Sequence, residues 1–457
     1  RERFAAHLKP RSLAVFYSAD LYPTSADGHF PFKQATDLFW MCGVDQEESI
    51  LVVCPDAFKP EHREVLFLKE TNETIAIWEG AKLTKAQAQE RTGVKTVYWL
   101  QDLDRVMNEM MSYVDDVYQV TNEHWRRPKD GPSVRGEREN AALRAAYPNH
   151  TYKRSAPLLN ALRAVKLPEE VDTMQAAANV TAAGYDRVLR FLRPGVWEFE
   201  LEAEFLHEFV RRRSDGFAYT PIIGSGANAC VLHYIENNGS CEDGDLVLFD
   251  VGAVYANYAC DVTRCFPVNG QFTPRQRQVY EAVLRVQKAA IALLRPGTFL
   301  HEYHARVGEI MTAELLELGL ITAEQVAAQD TAWPAYKKYF MHGTSHYLGL
   351  DVHDYGPWTA PMQVGMVFTV EPGIYIPEEG LGIRIENNYL VTEAEPIDLM
   401  ASIPVEPDDI EWHRLWPGGQ SLAGNGVLHQ PGQRGYCGPQ GFAVPGLSLG
   451  ARPYDLS

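Results

Sequence analysis

Residues 13–18 (LAVFYS), 50–54 (ILVVC), 64–68 (EVLFL) and 94–100 (VKTVYWL) are short runs rich in β-branched and aromatic residues, each closed by polar turn residues. Such runs predict strands. Between and after them, residues 84–90 and 102–111 carry helical composition. The alternation predicts an α/β N-terminal domain over residues 1–160 with a largely parallel or mixed sheet. Residues 126–138, polar with Pro and Gly, read as a loop, and residues 155–166 as a linking helix. Pro168-Glu169-Glu170 then opens a long helix, with Pro in the first turn and acids at the positive end of the helix dipole.

From residue 161 to 412 a pattern recurs. Leu192-Arg193-Pro194-Gly195 returns as Leu294-Arg295-Pro296-Gly297. Each copy ends one amphipathic helix and precedes another, at 198–213 and at 300–318, and each second helix leads into a Gly- and aromatic-rich β region. The motif alone is a common helix stop; the shared order of elements suggests duplication. Residues 413–457 hold many Gly and Pro and no periodicity, and read as a non-globular or non-native tail.

Lys plus Arg is 42 and Asp plus Glu is 60, a formal charge of −18. That balance argues against a nucleic-acid or anionic-membrane surface, and no apolar run is long enough to span a bilayer. Seven cysteines without CxxC spacing are neither a disulfide framework nor a zinc ribbon, and they point to a reducing, cytoplasmic setting.

The strongest local signal is residues 246–266, LVLFDVGAVYANYACDVTRCF. It reads as two strands joined by a turn near Tyr255-Ala256, which would set Asp250 directly opposite Asp261. Two carboxylates so placed among apolar residues require a proton or a cation between them. His342, His346 and His353 follow within twelve residues, interleaved with Gly. Then Glu371 ends an apolar strand at Pro372-Gly373, and in GIRIEN the residues Arg384 and Glu386 share one strand face. Asp250, Asp261, His346, Glu371 and Glu386 together offer four carboxylates and one imidazole, enough to balance two divalent cations. Such an oxygen-rich set suits Mn²⁺, Co²⁺ or Fe²⁺ better than structural zinc. Two such ions can hold a bridging hydroxide and polarise a carbonyl, which is hydrolytic chemistry. His301 and His304 miss the HExxH spacing by one residue and read as surface.

At these residues the chain resembles the pita-bread metallopeptidases, and among them the Xaa-Pro aminopeptidases (aminopeptidase P). The segments carrying the resemblance are IIGSGANACVLHY, DVGAVYANYACDVTRCFPVNG, HGTSHYLGLDVHD, VFTVEPGIYIP and GIRIEN, with YPTSADGHFPFKQATDLFWMCGV near the start. The resemblance implies an α+β catalytic domain of two pseudo-symmetric halves behind the α/β N-terminal domain. It implies two metal ions, usually Mn²⁺ with Co²⁺, Zn²⁺ or Fe²⁺ as alternatives, on Asp250, Asp261, His346, Glu371 and Glu386. The implied reaction is removal of an N-terminal residue that precedes Pro, by a metal-bridged hydroxide. His233, His342 and His353 match the family's active-site histidines, and Tyr375 and Arg384 its ligand-orienting positions. Glu371 would also carry the proton of the attacking water. A homodimer or homotetramer is implied as well. Lys33-Gln34 stands where the family often has Arg-Gln. Two alternatives stay open: an Xaa-Pro dipeptidase (prolidase) on the same fold, and a metal-free creatinase-like or peptide-binding relative.

Overall fold

The computed structural model describes residues 1–127 and 130–415. The expected tail lies outside these residues, except that a helix, Pro407–Leu415, runs through its first three positions.

The N-terminal part is built on a six-stranded mixed sheet. Ser12–Tyr17 lies near its middle, antiparallel to Ile50–Val53 and parallel to Asp116–Gln119. Glu64–Leu68 and Thr96–Trp99 extend one side, and Thr151–Arg154 closes the other. The apolar runs feed two separate cores because strand side chains alternate between faces. Ala14, Phe16, Leu51, Val53, Leu66 and Leu68 face one core; Leu13, Val15, Ile50, Val52, Val65 and Phe67 face the other. The first core is covered by helices Thr36–Cys42 and Ala156–Ala164, the second by Leu103–Met111. The predicted loop at 126–138 is shorter than expected. A helix starts at Arg135, where the Glu137 side chain accepts the N–H of Val134 and satisfies one of the free donors of the first turn.

The C-terminal part repeats itself. Helices Pro168–Phe191 and Glu198–Arg211 precede a sheet of Ile222–Ser225, Leu246–Asp250 and Thr263–Pro267. Helices Pro274–Leu293 and Leu300–Glu317 precede a sheet of Val367–Val370, Asn387–Leu390 and Ile397–Asp398. The two LRPG turns do the same job in each half: Gly195 and Gly297 sit at φ 86° and 92° and give their N–H groups to Cys241 and Met362. This is a pita-bread catalytic domain of two pseudo-symmetric halves, as the sequence led us to expect. One continuous apolar core runs through both halves. The six cysteines among the described residues are free thiols, and no described helix is long and apolar enough to cross a membrane.

One expectation fails in detail. Leu246–Asp250 pairs with Thr263–Pro267 so that Asp250 faces Thr263, not Asp261. The turn falls at Ala256-Asn257, both at positive φ (46° and 68°), rather than at Tyr255-Ala256. Asn tolerates the left-handed conformation and a bulky Tyr does not, which moves the turn one residue on. Asp261 therefore lies diagonally across from Asp250 on the same face. Gly252 is required beside it, since a Cβ there would stand 1.8 Å from the Cys260 carbonyl oxygen.

Candidate active site

The two halves deliver their acids from equivalent places. Asp250 ends the strand Leu246–Asp250, and Glu371 directly follows Val367–Val370. Segment 344–346 runs beside the second strand: the N–H of Thr369 bonds the His346 carbonyl and that of Glu371 bonds the Thr344 carbonyl. Asp261 and Glu386 lie just ahead of the partner strands Thr263–Pro267 and Asn387–Leu390. Nε2 of His346, a carboxylate oxygen of Asp261 and one of Glu386 lie within 4.8 Å of one another, and all three residues are buried. His346 Nε2 is 3.3 Å from Asp261 and 3.6 Å from Glu371.

Most of these residues are held from behind. His346 donates Nδ1–H to the Tyr347 carbonyl (2.9 Å), which aims Nε2 at the carboxylates. Asn388 bonds both the N–H and the carbonyl of Asp261. Arg384 donates to Asp250 (2.7 Å), to the Tyr375 hydroxyl (2.7 Å) and to Thr263 Oγ1 (2.9 Å). Thr263 in turn donates to Glu386 (2.7 Å), and Tyr219 donates to Asp250 (2.6 Å). Both oxygens of Asp250 thus already accept a bond, and each retains a second lone pair.

The electrostatics are those of a site short of positive charge. Four carboxylates, two buried and two half-buried, share one guanidinium and one imidazole. Burial pushes Glu371 up to about 7, with the Asp261 charge adding to the rise. Burial, then the charges of Asp261, Glu371 and Asp250, hold Glu386 well above the usual carboxylate range. Asp250 is also raised by burial, against the pull of Arg384. Asp261 alone is lowered: burial works against it, but the hydrogen bond from a protonated His346 prevails. A divalent cation would take the place of the protons that this crowding demands. Asp250, Asp261, His346, Glu371 and Glu386 could hold such ions, and the donor set fits them.

The other histidines separate. His342 donates Nδ1–H to the Gly343 carbonyl and accepts the Tyr375 hydroxyl at Nε2, ending a relay from Arg384. Burial, then the Arg384 charge, push its pKa down to about 3. The His353 ring lies 4.2 Å from that of His346, and burial, then the His346 charge, hold it at about 3. Both are neutral at physiological pH. His233 stays exposed on the segment after the 3₁₀ turn Gly226–Cys230, near enough for its charge to act on His342.

Sequence reasoning missed Tyr219, Thr263, Asn388 and His304. Thr263 stands two residues beyond Asp261 and Asn388 two beyond Glu386, so strand alternation could have found both. His304, expected on the surface, is instead turned inward: its Nδ1 accepts the N–H of Thr344, and burial lowers its pKa to about 4. His301 is exposed.

Comparison with known proteins decides the family. Residues 1–118 match the aminopeptidase P N-terminal domain and residues 172–393 match metallopeptidase family M24. The chain is 35% identical over 430 residues to Xaa-Pro aminopeptidase of Escherichia coli (strain K12), covering 90% of this chain and 95% of that one. This chain belongs to the Xaa-Pro aminopeptidases of metallopeptidase family M24. Human Xaa-Pro aminopeptidase 3 is 33% identical over 410 residues, 87% of this chain and 80% of that one. Among solved structures, a variant of E. coli aminopeptidase P in complex with substrate superposes with a TM-score of 0.80 at 33% identity, covering 91% of this chain and 96% of the other. Membership of this family implies divalent metal ions and peptide substrates, and the acid-rich site described above is where such ions fit.

Proposed function

We propose that this chain removes the N-terminal residue from peptides whose second residue is proline, using two divalent ions, with Mn²⁺ preferred. The observation that carries the reading is the cluster of four carboxylates around His346 Nε2, flanked by two histidines kept neutral. Bound by Asp250, Asp261, His346, Glu371 and Glu386, the ions would supply Lewis acidity to a water and to the scissile carbonyl. Oxygen-rich ligation favours Mn²⁺ over zinc.

The chain's own residues do the rest. Glu371, beside the ions it would help to hold, is placed to take the proton of the attacking water and return it to the departing nitrogen. That nitrogen belongs to proline and carries no hydrogen of its own, so it leaves only when protonated. Neutral His353 can donate an N–H to the carbonyl oxygen as charge builds on it, with His233 at the mouth as a second donor. Arg384, through Tyr375, keeps His342 in one tautomer, and through Thr263 keeps Glu386 in place.

The same reading takes residues 1–160 and 161–412 as the two domains. It takes the protein as a cytoplasmic homo-oligomer. Free thiols support a cytoplasmic setting, since the six cysteines among the described residues form no disulfide. Helix Glu73–Glu79 supports the homo-oligomer, since it leaves Ile77 and Trp78 78% and 84% exposed, an apolar pair that another copy would cover.

The test is hydrolysis of Xaa-Pro-Yaa, Xaa-Ala-Yaa and free Xaa-Pro by Mn²⁺-loaded protein. The reading expects free Xaa and Pro-Yaa from the first peptide alone. Cleavage of free Xaa-Pro alone would make the chain a dipeptidase instead.

A further inference from the structure

Outside the acid cluster, the active-site mouth holds a feature of opposite sign. A trough of about 330 Å³ leads away from His353, and Lys33, Asn122, Arg126, Asp351 and Tyr355 are among the residues that line it. Its one acid, Asp351, is already bound by Arg163 and Thr36. Its third cation, Arg127, is paired with Glu137. Lys33 and Arg126 have no carboxylate partner among the described residues. In a chain of net charge −18 this is an unusual place to leave two cations unpaired.

Arg126 is also organised rather than trailing. Its backbone N–H is accepted by His124 Nδ1, its guanidinium lies 4.9 Å from the Trp125 ring centre, and Trp125 meets Trp358 edge-on at 6.3 Å. One guanidinium N–H approaches His353 Nδ1 at 3.4 Å. That contact occupies at most one of five donors, so a planar fork remains open for a carboxylate. The guanidinium stands one imidazole beyond His346, and two extended residues span about 7 Å. A segment such as Pro-Yaa, starting at the scissile carbonyl, reaches that far.

We propose that Arg126, with Lys33 on the same trough, forms a carboxylate-binding subsite for the far end of the substrate, so that the chain selects short Xaa-Pro-Yaa peptides by their free C-terminal carboxylate. This rests on the Xaa-Pro aminopeptidase reading above. Two bonds from a guanidinium to a carboxylate are among the stronger polar contacts available, while an amide offers one oxygen and no charge. Arg126 is exposed and its replacement leaves the core untouched.

The experiment compares kcat/KM for a Xaa-Pro-Yaa tripeptide and its C-terminal amide, on Mn²⁺-loaded wild type, Arg126→Gln, Arg126→Lys and Lys33→Gln. The subsite predicts a preference for the free acid of about tenfold or more, falling to about one in Arg126→Gln. Arg126→Lys should keep part of it and Lys33→Gln should lose less than Arg126→Gln. Equal hydrolysis of acid and amide by wild type would overturn the subsite alone and leave the peptidase reading standing. A preference that survives Arg126→Gln would overturn the assignment to Arg126. Hydrolysis of neither peptide would overturn the parent reading, and the subsite with it.

Discussion

Two clusters of buried charge lie close together in this molecule, and they are built on opposite terms. At the junction between the N-terminal and C-terminal parts, fully buried Arg163 bonds Asp37 (2.7 Å), Asp351 (2.9 Å) and Asp354 (2.6 Å), and Lys166 adds a second cation on Asp354 (2.9 Å). Three carboxylates meet two cations and a Thr36 hydroxyl. Burial pushes Asp354 up, but Arg163 and Lys166 outweigh it and hold the carboxyl below its ordinary range. Asp37, touching Arg163 alone of the two cations, remains raised by burial. In the candidate site four carboxylates meet one guanidinium and the single His346 imidazole, and three of the four are raised. The first cluster is satisfied by the chain itself and joins two parts of the fold. The second is left short of charge, and the deficit is what a metal ion would fill. GLDVHD contributes to both at once, with Asp351 and Asp354 at the junction and His353 between them facing the site.

Substitutions should treat the two clusters in opposite ways. The largest effect expected is on catalysis: Glu371→Gln removes the proposed proton carrier and proposed metal donor, and should lower kcat on Xaa-Pro-Yaa by ~10³-fold or more, read by steady-state kinetics with Mn²⁺ saturating. Next, Arg163→Met leaves buried Asp354 and half-buried Asp37 and Asp351 facing one lysine and should cost about 3–5 kcal/mol in urea unfolding, because an unpaired buried charge is far costlier than the pair is favourable. Smallest, and of the other sign, is Glu386→Gln in metal-free protein. It removes one of the mutually repelling acids and should raise unfolding stability by on the order of 1 kcal/mol, the worth of one pKa unit. Equal losses in Arg163→Met and Glu386→Gln would erase the distinction between the clusters.

Much of this was legible in the chain and some was not. The short β-branched and aromatic runs LAVFYS and EVLFL located strands of the N-terminal sheet. The strands Asp116–Gln119 and Thr151–Arg154 are four residues each and partly polar, too short and mixed to stand out. The five candidate ligands could be named because acids and a histidine interrupt apolar strands, a costly arrangement without a purpose. The register between Asp250 and Asp261 could not, since one residue of turn geometry at Ala256-Asn257 decides it. Tyr219 and His304 reach the site through tertiary packing that no local pattern encodes. Arg126 lay in a segment read only as a loop, and its place beside His353 arises from the docking of the two parts on Arg163.

The central claim is that the acid cluster is a metal centre and the junction is not. The most direct test is elemental analysis of the purified protein, paired with its thermal unfolding before chelation, after it, and after Mn²⁺ is restored. The account predicts about two ions per chain, a Tm that falls on chelation and a full return with Mn²⁺. Protein that carries no ion when Mn²⁺ is supplied, with a Tm that chelation does not move, would contradict it.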